Sequence, residues 1–370
     1  MEQLSIRSFE EWNPTGQRPM YIFGPCSAEY RDQVFHTAEQ LKAGGTPFIL
    51  RAGVWKPRTR PGSFEGKGEE ALVWLSEVKQ ELELPITTEV ATAEHVELCL
   101  KHGVDVLWIG ARTTVNPFSV QEIADALEGV DIPVMVKNPI HPDLSLWIGA
   151  LERINGAGID KLAAIHRGFH YQDNYPYRNV PNWELAIELK SRHPKLPIIC
   201  DASHIAGTPE LIPRVAQRAM NLNMDGLLIE THFRPEEALS DAQQQITPQA
   251  LFSLVDSLEI RKPSARDVHF TDEIHRLRQK IDNIDESLME LLSERMRAVE
   301  EIGLWKRDKN VAIFQLKRWM EIIGHYKEWG SQLELSDDFI RRLVEALHLE
   351  SIEIQQKVMN QDLDTSESKV

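Results

Sequence analysis

Short apolar runs alternate with helix-like patterns along the first 258 residues of the chain. Each run has the length and the β-branched or apolar content of a strand, and a stretch with apolar residues at helical spacing follows it. Eight such runs predict eight parallel βα units, the number that forms a TIM barrel. The predicted strands are Tyr21–Ser27, Pro47–Gly53, Pro85–Val90, Val106–Arg112, Pro133–Pro139, Lys161–Arg167, Pro197–Ser203 and Gly226–His232.

Each predicted strand begins with apolar residues and ends with a polar one. In a TIM barrel the C-terminal ends of all strands open on one mouth, where the active site lies. A doubly wound open sheet also binds ligands at the carboxyl ends of its strands, but it rarely needs eight consecutive units. The pattern therefore favours the barrel. The polar residues are Cys26, Arg51, Glu89, Arg112, Lys137, Arg167, His204 and Glu230.

The pattern changes after Leu258. Residues 259–270 are polar and without periodicity, which predicts a linker, and residues 271–360 have the spacing of an all-α domain. Its first helix, extending close to Lys309, would be more than about 50 Å long, too long for one small domain to cover. We therefore expect a second copy of the chain to pack on it, giving a homodimer. Residues 361–370 are polar and predicted to be disordered. The apolar stripe of the first helix consists of Leu277, Ile281, Ile284, Leu288, Leu291, Leu292 and Val299.

Composition excludes several classes of protein. The net charge of -16 argues against non-specific nucleic-acid binding. Neither a charged-then-apolar leader nor an apolar run near twenty residues is present, so we expect no membrane partner. Three cysteines, Cys26, Cys99 and Cys200, are an odd number in a large chain, which predicts reduced thiols and a cytoplasmic location.

Four residues with metal-binding side chains fall at or near the ends of predicted strands. Cys26, His204 and Glu230 close three strands, and Asp241 follows eleven residues after Glu230 in a loop. A thiolate, an imidazole and two carboxylates can hold one divalent ion, and this donor set accepts Mn, Fe, Co or Zn. A lone cysteine in a strand is usually core packing. We assign that role to the other two cysteines and metal binding to Cys26.

Seven motifs of the barrel region, in order, resemble 3-deoxy-D-arabino-heptulosonate 7-phosphate (DAHP) synthase of the short type I-beta branch. That family condenses phosphoenolpyruvate (PEP) with erythrose 4-phosphate and releases phosphate. The resemblance extends from about Met20 to Leu258. The motifs are GPCS at 24–27, LRAGVWKPRTRPGSFEGKG at 50–68, IGAR at 109–112, VKNP at 136–139, HRG at 166–168, DASH at 201–204, and IETH at 229–232 followed by ALSDAQQQ at 238–245.

The resemblance implies a role for each polar strand end. PEP carries a phosphate and a carboxylate, so its pocket needs several fixed cations. The metal would polarise the aldehyde as a Lewis acid, and Lys56 could supply a proton to the developing alkoxide. The implied metal ligands are Cys26, His204, Glu230 and Asp241; the implied PEP-binding residues are Arg51, Lys56, Arg112, Lys137 and Arg167; and the implied erythrose 4-phosphate residues are Pro57, Arg58 and Thr59.

The sequence does not decide the roles of several residues near this site. His166 stands where relatives often carry an acid, and its role is not assigned. His232 and Asp201 adjoin predicted ligands and could support them. The sister synthase, which condenses PEP with arabinose 5-phosphate, normally has an Asn-Arg-Ser-type loop where this chain has Pro57-Arg58-Thr59. That difference favours erythrose 4-phosphate.

The helical region resembles the all-helical chorismate mutase domain, which rearranges chorismate to prephenate. LRQKIDNID at 277–285 and LLSER at 291–295 carry the resemblance, which extends from about Thr271 to Met359. Gln315 and Trp319 stand where relatives commonly have carboxylates, and Trp cannot accept a hydrogen bond, so we expect weaker activity or a different contact to the substrate hydroxyl. The implied chorismate and prephenate residues are Arg278, Arg295, Lys306, Gln315, Arg318, Ser351 and Gln355.

Helix geometry requires two chains for this second site. Arg278 and Arg295 are seventeen residues apart, which places them about 100° apart around one helix and more than about 25 Å apart along it. One small dicarboxylate cannot reach both, so a second chain must supply Arg278. The domain would be either an active mutase or only a sensor of prephenate or chorismate. In both cases prephenate is the expected feedback inhibitor of the barrel.

Overall fold

The structure is a computed structural model that describes residues 4–57, 62–172, 176–262 and 268–367. The chain folds into two compact units, Met1–Pro263 and Ser264–Val370. No helix within the described residues is both long and apolar enough to cross a bilayer.

The first unit is a closed barrel of eight parallel strands in sequence order, in which β8 pairs with β1. Every predicted run overlaps one of these strands, so the TIM barrel prediction is confirmed, although the first run begins at Tyr21, one residue after the first strand does. Several runs extend beyond the observed strand: β4 ends at Ile109, and Arg112 lies in a short helix. The strands are β1 Met20–Gly24, β2 Ile49–Arg51, β3 Ile86–Val90, β4 Val106–Ile109, β5 Val134–Lys137, β6 Leu162–His166, β7 Ile198–Asp201 and β8 Gly226–Glu230.

Helices cover the outside of the barrel because their apolar faces pack on the sheet. Several begin at a side-chain cap, such as Thr92, Asn116 or Asp143. The helices are α1 Phe9–Trp12, α2 Arg31–Ala43, α3 Glu69–Leu82, α4 Ala93–Lys101, α5 Ala111–Thr114, α6 Pro117–Ala126, α7 Leu144–Gly156, α8 Trp183–Arg192, α9 Ala202–Ala206, α10 Ile212–Asn221 and α11 Pro248–Ser257. Short 3-10 turns lie at Pro209–Leu211, Pro235–Glu237 and Ala242–Gln244.

A separate apolar core fills the interior of the barrel. Phe9 and Trp12 of α1 belong to it, together with inward-facing strand residues such as Met20, Ile22 and Trp108. Residues before β1 therefore close the N-terminal end of the barrel. Polar side chains can meet only at the opposite end, where the strands terminate.

The described residues of the second unit form three helices, α12 Val268–Asp308, α13 Leu316–Gln332 and α14 Asp337–Glu367. The helix α12 begins within the predicted linker, and α14 continues through residues 361–367, where disorder is predicted. No Gly or Pro interrupts the chain there, so nothing local stops the helix. Gly303 permits close packing of α12 on α14: a Cβ at this position would lie 3.2 Å from Gln355 Cγ.

The apolar stripe of α12 divides into two parts. Val299 is buried, whereas Ile281 and Ile284 are 55% and 56% exposed and Leu288 is 50% exposed. The N-terminal part of the stripe is therefore uncovered within a single chain.

Candidate functional site

Three of the four predicted metal ligands converge at the mouth of the barrel. One ligand atom each from Cys26, Glu230 and Asp241 lies within 4.8 Å of the other two. The Cys26 Sγ is 3.4 Å from Asp241 Oδ2. Gly24, two residues before Cys26, allows β1 to lie close to β2, because it has φ 140° and a Cβ there would lie 2.2 Å from the carbonyl oxygen of Arg51. We call these three residues the ligand cluster.

His204 lies beside the ligand cluster, in α9. Its Nδ1 is 3.0 Å from Asp201 Oδ2 and 3.9 Å from Glu230 Oε1. Asp201 Oδ1 also caps α9 by accepting a bond from the backbone N–H of His204, and Lys137 Nζ lies 2.9 Å from Asp201 Oδ2. A carboxylate on one ring nitrogen is the partner that metal-binding histidines usually have, and it leaves Nε2 as the ligand atom. His204 therefore fits the predicted role without belonging to the tight cluster.

Burial and charge together set the protonation of this region. Burial raises the pKa of the Cys26 thiol to about 12, and the charge of Glu230 acts in the same direction, while Lys56 opposes it. Burial also disfavours the charged form of Asp241, but the positive charges of Arg178, His204 and Lys56 together outweigh it and lower the pKa of that carboxyl. A divalent cation among these groups would favour the thiolate. A thiolate with carboxylates and an imidazole suits a transition metal, so the residues fit the group.

Two predicted cations contact the ligand cluster directly. Arg51 Nη2 donates to the carbonyl oxygen of Cys26 at 2.8 Å, and its Nη1 is 3.0 Å from Glu230 Oε1. Lys56 Nζ donates to the same carbonyl at 2.5 Å and lies 3.0 Å from Sγ. The ring of Trp108 lies under both Arg51 and Lys137, at 5.1 and 5.6 Å from their charged groups. These contacts place cations around one polar opening.

The remaining PEP-binding predictions form a group of mutually repelling cations. Arg167 Nη1 donates to Asn179 Oδ1 at 2.7 Å. Burial lowers the pKa of Arg167 to about 10, Asp201 opposes this shift, and the positive charges of Arg178 and Arg112 reinforce it. Arg112 is exposed and forms no ion pair with the described residues. An anion placed among these guanidinium groups would relieve their repulsion.

Only the first residue of the predicted erythrose 4-phosphate set lies within the described residues. Arg58 and Thr59 lie outside the described residues, and Pro57 is exposed. The chain enters this loop through Trp55, whose ring stacks on His95 with centroids 3.8 Å apart. That stack fixes the position of the residue before Lys56.

The structure shows what surrounds the two histidines whose roles the sequence did not decide. His166 is buried among aromatic rings, with Trp183 at 5.2 Å and Phe169 at 5.9 Å, and burial lowers its pKa to about 3. His232 accepts a bond from the backbone N–H of Arg234 and packs on Phe233. Neither belongs to the ligand cluster.

The sequence assigned no role to three residues that contact the ligands. Arg178 lies 3.1 Å from Asp241, Gln244 donates to Glu230, and Gln245 accepts the backbone N–H of Cys26. The run of glutamines next to Asp241 was a visible signal for two of them. Nothing in the local pattern indicates Arg178, because the fold brings it from the loop after β6.

In the helical unit, α12 and α14 bring some of the predicted residues together. Arg295 Nη1 donates to Ser351 Oγ at 3.0 Å. Gln355, one turn further along α14, is buried, and its Oε1 has no hydrogen-bond partner among the described residues. Lys306 Nζ donates to the carbonyl oxygen of Ile313 at 2.6 Å.

Other predicted residues of this unit lie away from that contact. Arg278 and Gln315 are exposed, and Arg318 forms an exposed ion pair with Glu321 at 3.2 Å. Trp319, which stands where a carboxylate is common, stacks on His348 with centroids 3.9 Å apart.

A closed parallel barrel with cations and possible metal ligands at its mouth, followed by an all-helical unit, defines a two-domain TIM-barrel enzyme. The model described as "DAHP synthetase I family" matches residues 7–261, and that described as "Chorismate mutase type II" matches residues 277–356. The chain belongs to the DAHP synthetase I family and carries a chorismate mutase type II domain at its C-terminal side. It is an enzyme of both classes, a transferase and an isomerase.

Two relatives are similar to slightly less than two thirds of the chain. Phospho-2-dehydro-3-deoxyheptonate aldolase of Thermotoga maritima is 29% identical over 238 residues, which are 64% of this chain and 68% of the relative. 2-Dehydro-3-deoxyphosphooctonate aldolase of Azoarcus sp. is 28% identical over 245 residues, which are 60% of this chain and 84% of the relative.

Two solved structures from Thermotoga maritima are similar to about two thirds of this chain. The crystal structure of its DAHP synthase is similar with a TM-score of 0.58 and 27% identity, covering 64% of this chain and 67% of that one. The truncated form of the enzyme is similar with a TM-score of 0.56 and 25% identity, covering 64% of this chain and 84% of that one.

Proposed function

We propose that the barrel condenses PEP with erythrose 4-phosphate and water to form DAHP and phosphate. The observation that carries the proposal is the ligand cluster with Arg51 and Lys56 in contact with it. A cation site next to fixed positive side chains is what a reaction between a phosphorylated enol and an aldehyde requires.

The binding roles follow from charge and position. Arg112, Lys137 and Arg167 would hold the phosphate and carboxylate of PEP, and the loop at Pro57, Arg58 and Thr59 would hold the aldose phosphate. These contacts place the enol carbon near the aldehyde and lower the entropic cost of bringing two substrates together.

The cofactor would be one divalent ion, Mn, Fe, Co or Zn, held by the ligand cluster and His204. When bound, it supplies Lewis-acid polarisation of the aldehyde. As the carbon–carbon bond forms, the aldehyde oxygen gains negative charge, and Lys56 lies at the cluster with a proton to transfer to it.

The assay that tests this proposal follows PEP consumption with two aldoses. Erythrose 4-phosphate should be consumed and arabinose 5-phosphate should not, and a chelator should abolish the reaction. The second aldose is included because a 28% identical relative is a 2-dehydro-3-deoxyphosphooctonate aldolase. Preferred consumption of arabinose 5-phosphate would contradict the substrate assignment.

For the helical unit we infer rearrangement of chorismate to prephenate within a homodimer. The exposed stripe of α12 supports a second copy, and the contact between Arg295 and Ser351 supports a site between α12 and α14. The rearrangement needs no covalent catalyst, so cations need only hold the two carboxylates and stabilise charge on the ether oxygen. Lys306 and Gln355 are the candidates for that oxygen, and a second chain would contribute Arg278.

Mixing two inactive variants tests the shared site. Arg278→Ala and Arg295→Ala should each have very low mutase activity, because each lacks a carboxylate partner. After subunit exchange in an equal mixture, about half of the dimers would be mixed and each of these would keep one of its two sites complete, so the mixture should regain roughly a quarter of the wild-type activity. No recovery after confirmed exchange would place both arginines in one site of one chain. Wild-type protein without mutase turnover would favour the sensor alternative.

The remaining proposals concern the cellular location and the small-molecule partners of the protein. The three cysteines of the described structure are all free and buried, which suits a reducing compartment such as the cytoplasm. The partners would be small molecules, namely PEP, erythrose 4-phosphate and chorismate, with prephenate as the feedback inhibitor.

A further inference from the structure

Three consecutive glutamines follow the loop that carries Asp241, and they differ sharply in their surroundings. Gln243 is exposed, whereas Gln244 and Gln245 are 1% and 2% exposed. A buried amide costs free energy unless its donors and acceptor are bonded. The bonds that satisfy these two amides go to the ligand cluster and its loop.

Gln244 joins two of the possible metal ligands. Its Nε2 donates to Glu230 Oε2, and its Oε1 accepts a bond from Arg178 Nη1. The same guanidinium nitrogen lies 3.1 Å from Asp241 Oδ1. Since a carboxylate only accepts and a guanidinium only donates, the amide can take just one of its two orientations here.

Gln245 joins the third ligand to the same loop. Its Oε1 accepts the backbone N–H of Cys26 at 3.0 Å, and its Nε2 donates to the carbonyl oxygen of Ser240 at 2.9 Å. This amide therefore ties the end of β1 to the residue before Asp241.

The backbone that carries both glutamines is itself fixed to the barrel. The N–H of Ile246 donates to the carbonyl oxygen of Glu230 at 3.1 Å, and the N–H of His232 donates to the carbonyl oxygen of Ile246 at 3.0 Å. The two amides thus project from a segment that pairs with the chain at the end of β8, not from a free loop.

We propose that Gln244 and Gln245 are positioning residues that hold the ligand cluster together before a metal ion binds. The two carboxylates repel one another at this distance, and the bonds of the two amides oppose their separation together with the ion pairs to Arg51 and Arg178. Because the amides hold the ligands in place, the free-energy cost of bringing the ligands together is incurred when the protein folds and not when the metal binds. This inference rests on the proposed metal dependence of the synthase.

The test is cobalt binding by the full-length protein, measured by titration of the metal-free form. Absorption from a cobalt–thiolate bond reports on Cys26 and needs no substrate. Gln244→Met and Gln245→Met should bind Co²⁺ about 10- to 100-fold more weakly than wild type, the range typical of residues that orient metal ligands. Gln243→Met, the exposed neighbour, should bind Co²⁺ as wild type does.

A conservative variant separates positioning from packing. Gln245→Glu keeps an oxygen that accepts the Cys26 N–H but loses the donor to Ser240, so it should recover part of the affinity that Gln245→Met loses. If a methionine variant fails to fold, as judged by circular dichroism, the comparison of Gln245→Glu with Gln243→Met still decides, and the glutamate variant should bind more weakly. Equal Co²⁺ affinity in folded Gln244 and Gln245 variants and in Gln243→Met would overturn the proposal.

The result of the cobalt titration does not depend on whether the protein catalyses the proposed synthase reaction. Weakened cobalt binding in protein that does not consume PEP would contradict the proposed function and leave this inference standing. A wild-type protein that binds Co²⁺ without thiolate absorption would overturn the inference, whatever its activity.

Discussion

At the scale of single residues, burial makes the charges at the barrel mouth depend on one another. Arg51 and Glu230 are both almost completely buried and lie 3.0 Å apart. Removing one member of such a pair leaves an uncompensated buried charge, which typically costs about 3–5 kcal/mol. Substitutions at this pair would therefore mix stability with function, so Cys26 is the better position for testing the site.

Cys26→Ser should lose the metal and the synthase activity while the barrel stays folded. Serine is close to cysteine in size, but its hydroxyl does not ionise to a ligand as a thiolate does. Metal content, PEP consumption and circular dichroism measure the three effects, and mutase activity should persist. Cys99→Ser, at a buried cysteine outside the cluster, is the control. Full synthase activity in metal-free Cys26→Ser would refute the assignment.

His166 should make the free energy of unfolding depend on pH. Its folded pKa of about 3 lies below the value of about 6.5 expected for the unfolded chain. Between these values the unfolded state binds more protons, so His166 destabilises the fold increasingly as pH falls, by up to about 1.4 kcal/mol per pH unit.

The variant that tests this is His166→Leu, which keeps an apolar group of similar size among the aromatic rings. Its free energy of unfolding, measured by denaturant titration, should fall less steeply than that of the wild type between pH 6.5 and the acid limit of the fold. If the free energies of unfolding of the two proteins changed with pH in parallel, the pKa of His166 would be the same in the folded and unfolded states, and the prediction would be wrong.

At the scale of elements, the helix α12 shows how local pattern and packing can differ. Its 41 residues have a continuous apolar stripe, but α14 covers only the part around Val299. Apolar side chains repeated along one face of an exposed helix are typical of a surface that packs on another helix.

Replacing two residues of the exposed stripe should therefore weaken self-association. Ile284→Glu combined with Leu288→Glu places charges where apolar side chains would be buried, each worth about 1.5–3 kcal/mol on burial. Sedimentation should show a smaller species than wild type, and mutase activity should fall with it. Ser287→Glu, an exposed position off the stripe, is the matched control. An unchanged mass would place the dimer interface elsewhere.

At the scale of the whole molecule, the barrel offers one polar end. Phe9 and Trp12 of α1 close the other end. The helical unit offers a second candidate ligand site, where Arg295 contacts Ser351. Its proposed product, prephenate, lies downstream of the barrel product, so binding there could lower synthase activity by feedback.

Prephenate should inhibit the synthase in the full chain and not in a chain that ends near Leu258. Coupling between two sites is typically about 1–3 kcal/mol, and it is reciprocal, so PEP should also weaken prephenate binding. Synthase rates over a range of prephenate concentrations measure the effect, with Arg295→Ala as the full-length control that should lose it. Inhibition that persists in the shortened chain would place the effector on the barrel.

The sequence by itself determined the eight strands, their order, the change to helices after Leu258 and the polar residues at the strand ends. These features follow from local periodicity, because strand and helix patterns differ within a few residues. The ends of parallel strands meet wherever a barrel closes, so the mouth and its cations followed from the same pattern.

Only the tertiary structure decided which polar groups contact one another. Cys26 and Asp241 are 215 residues apart, and Cys26 and Gln245 are 219 apart. The placement of His204 against Asp201, and of Arg178 against Asp241, depends on side-chain orientations that form only after the barrel closes. Hydrogen bonds act over about 3 Å, so their partners are chosen by the folded surroundings of each side chain and not by its neighbours along the chain.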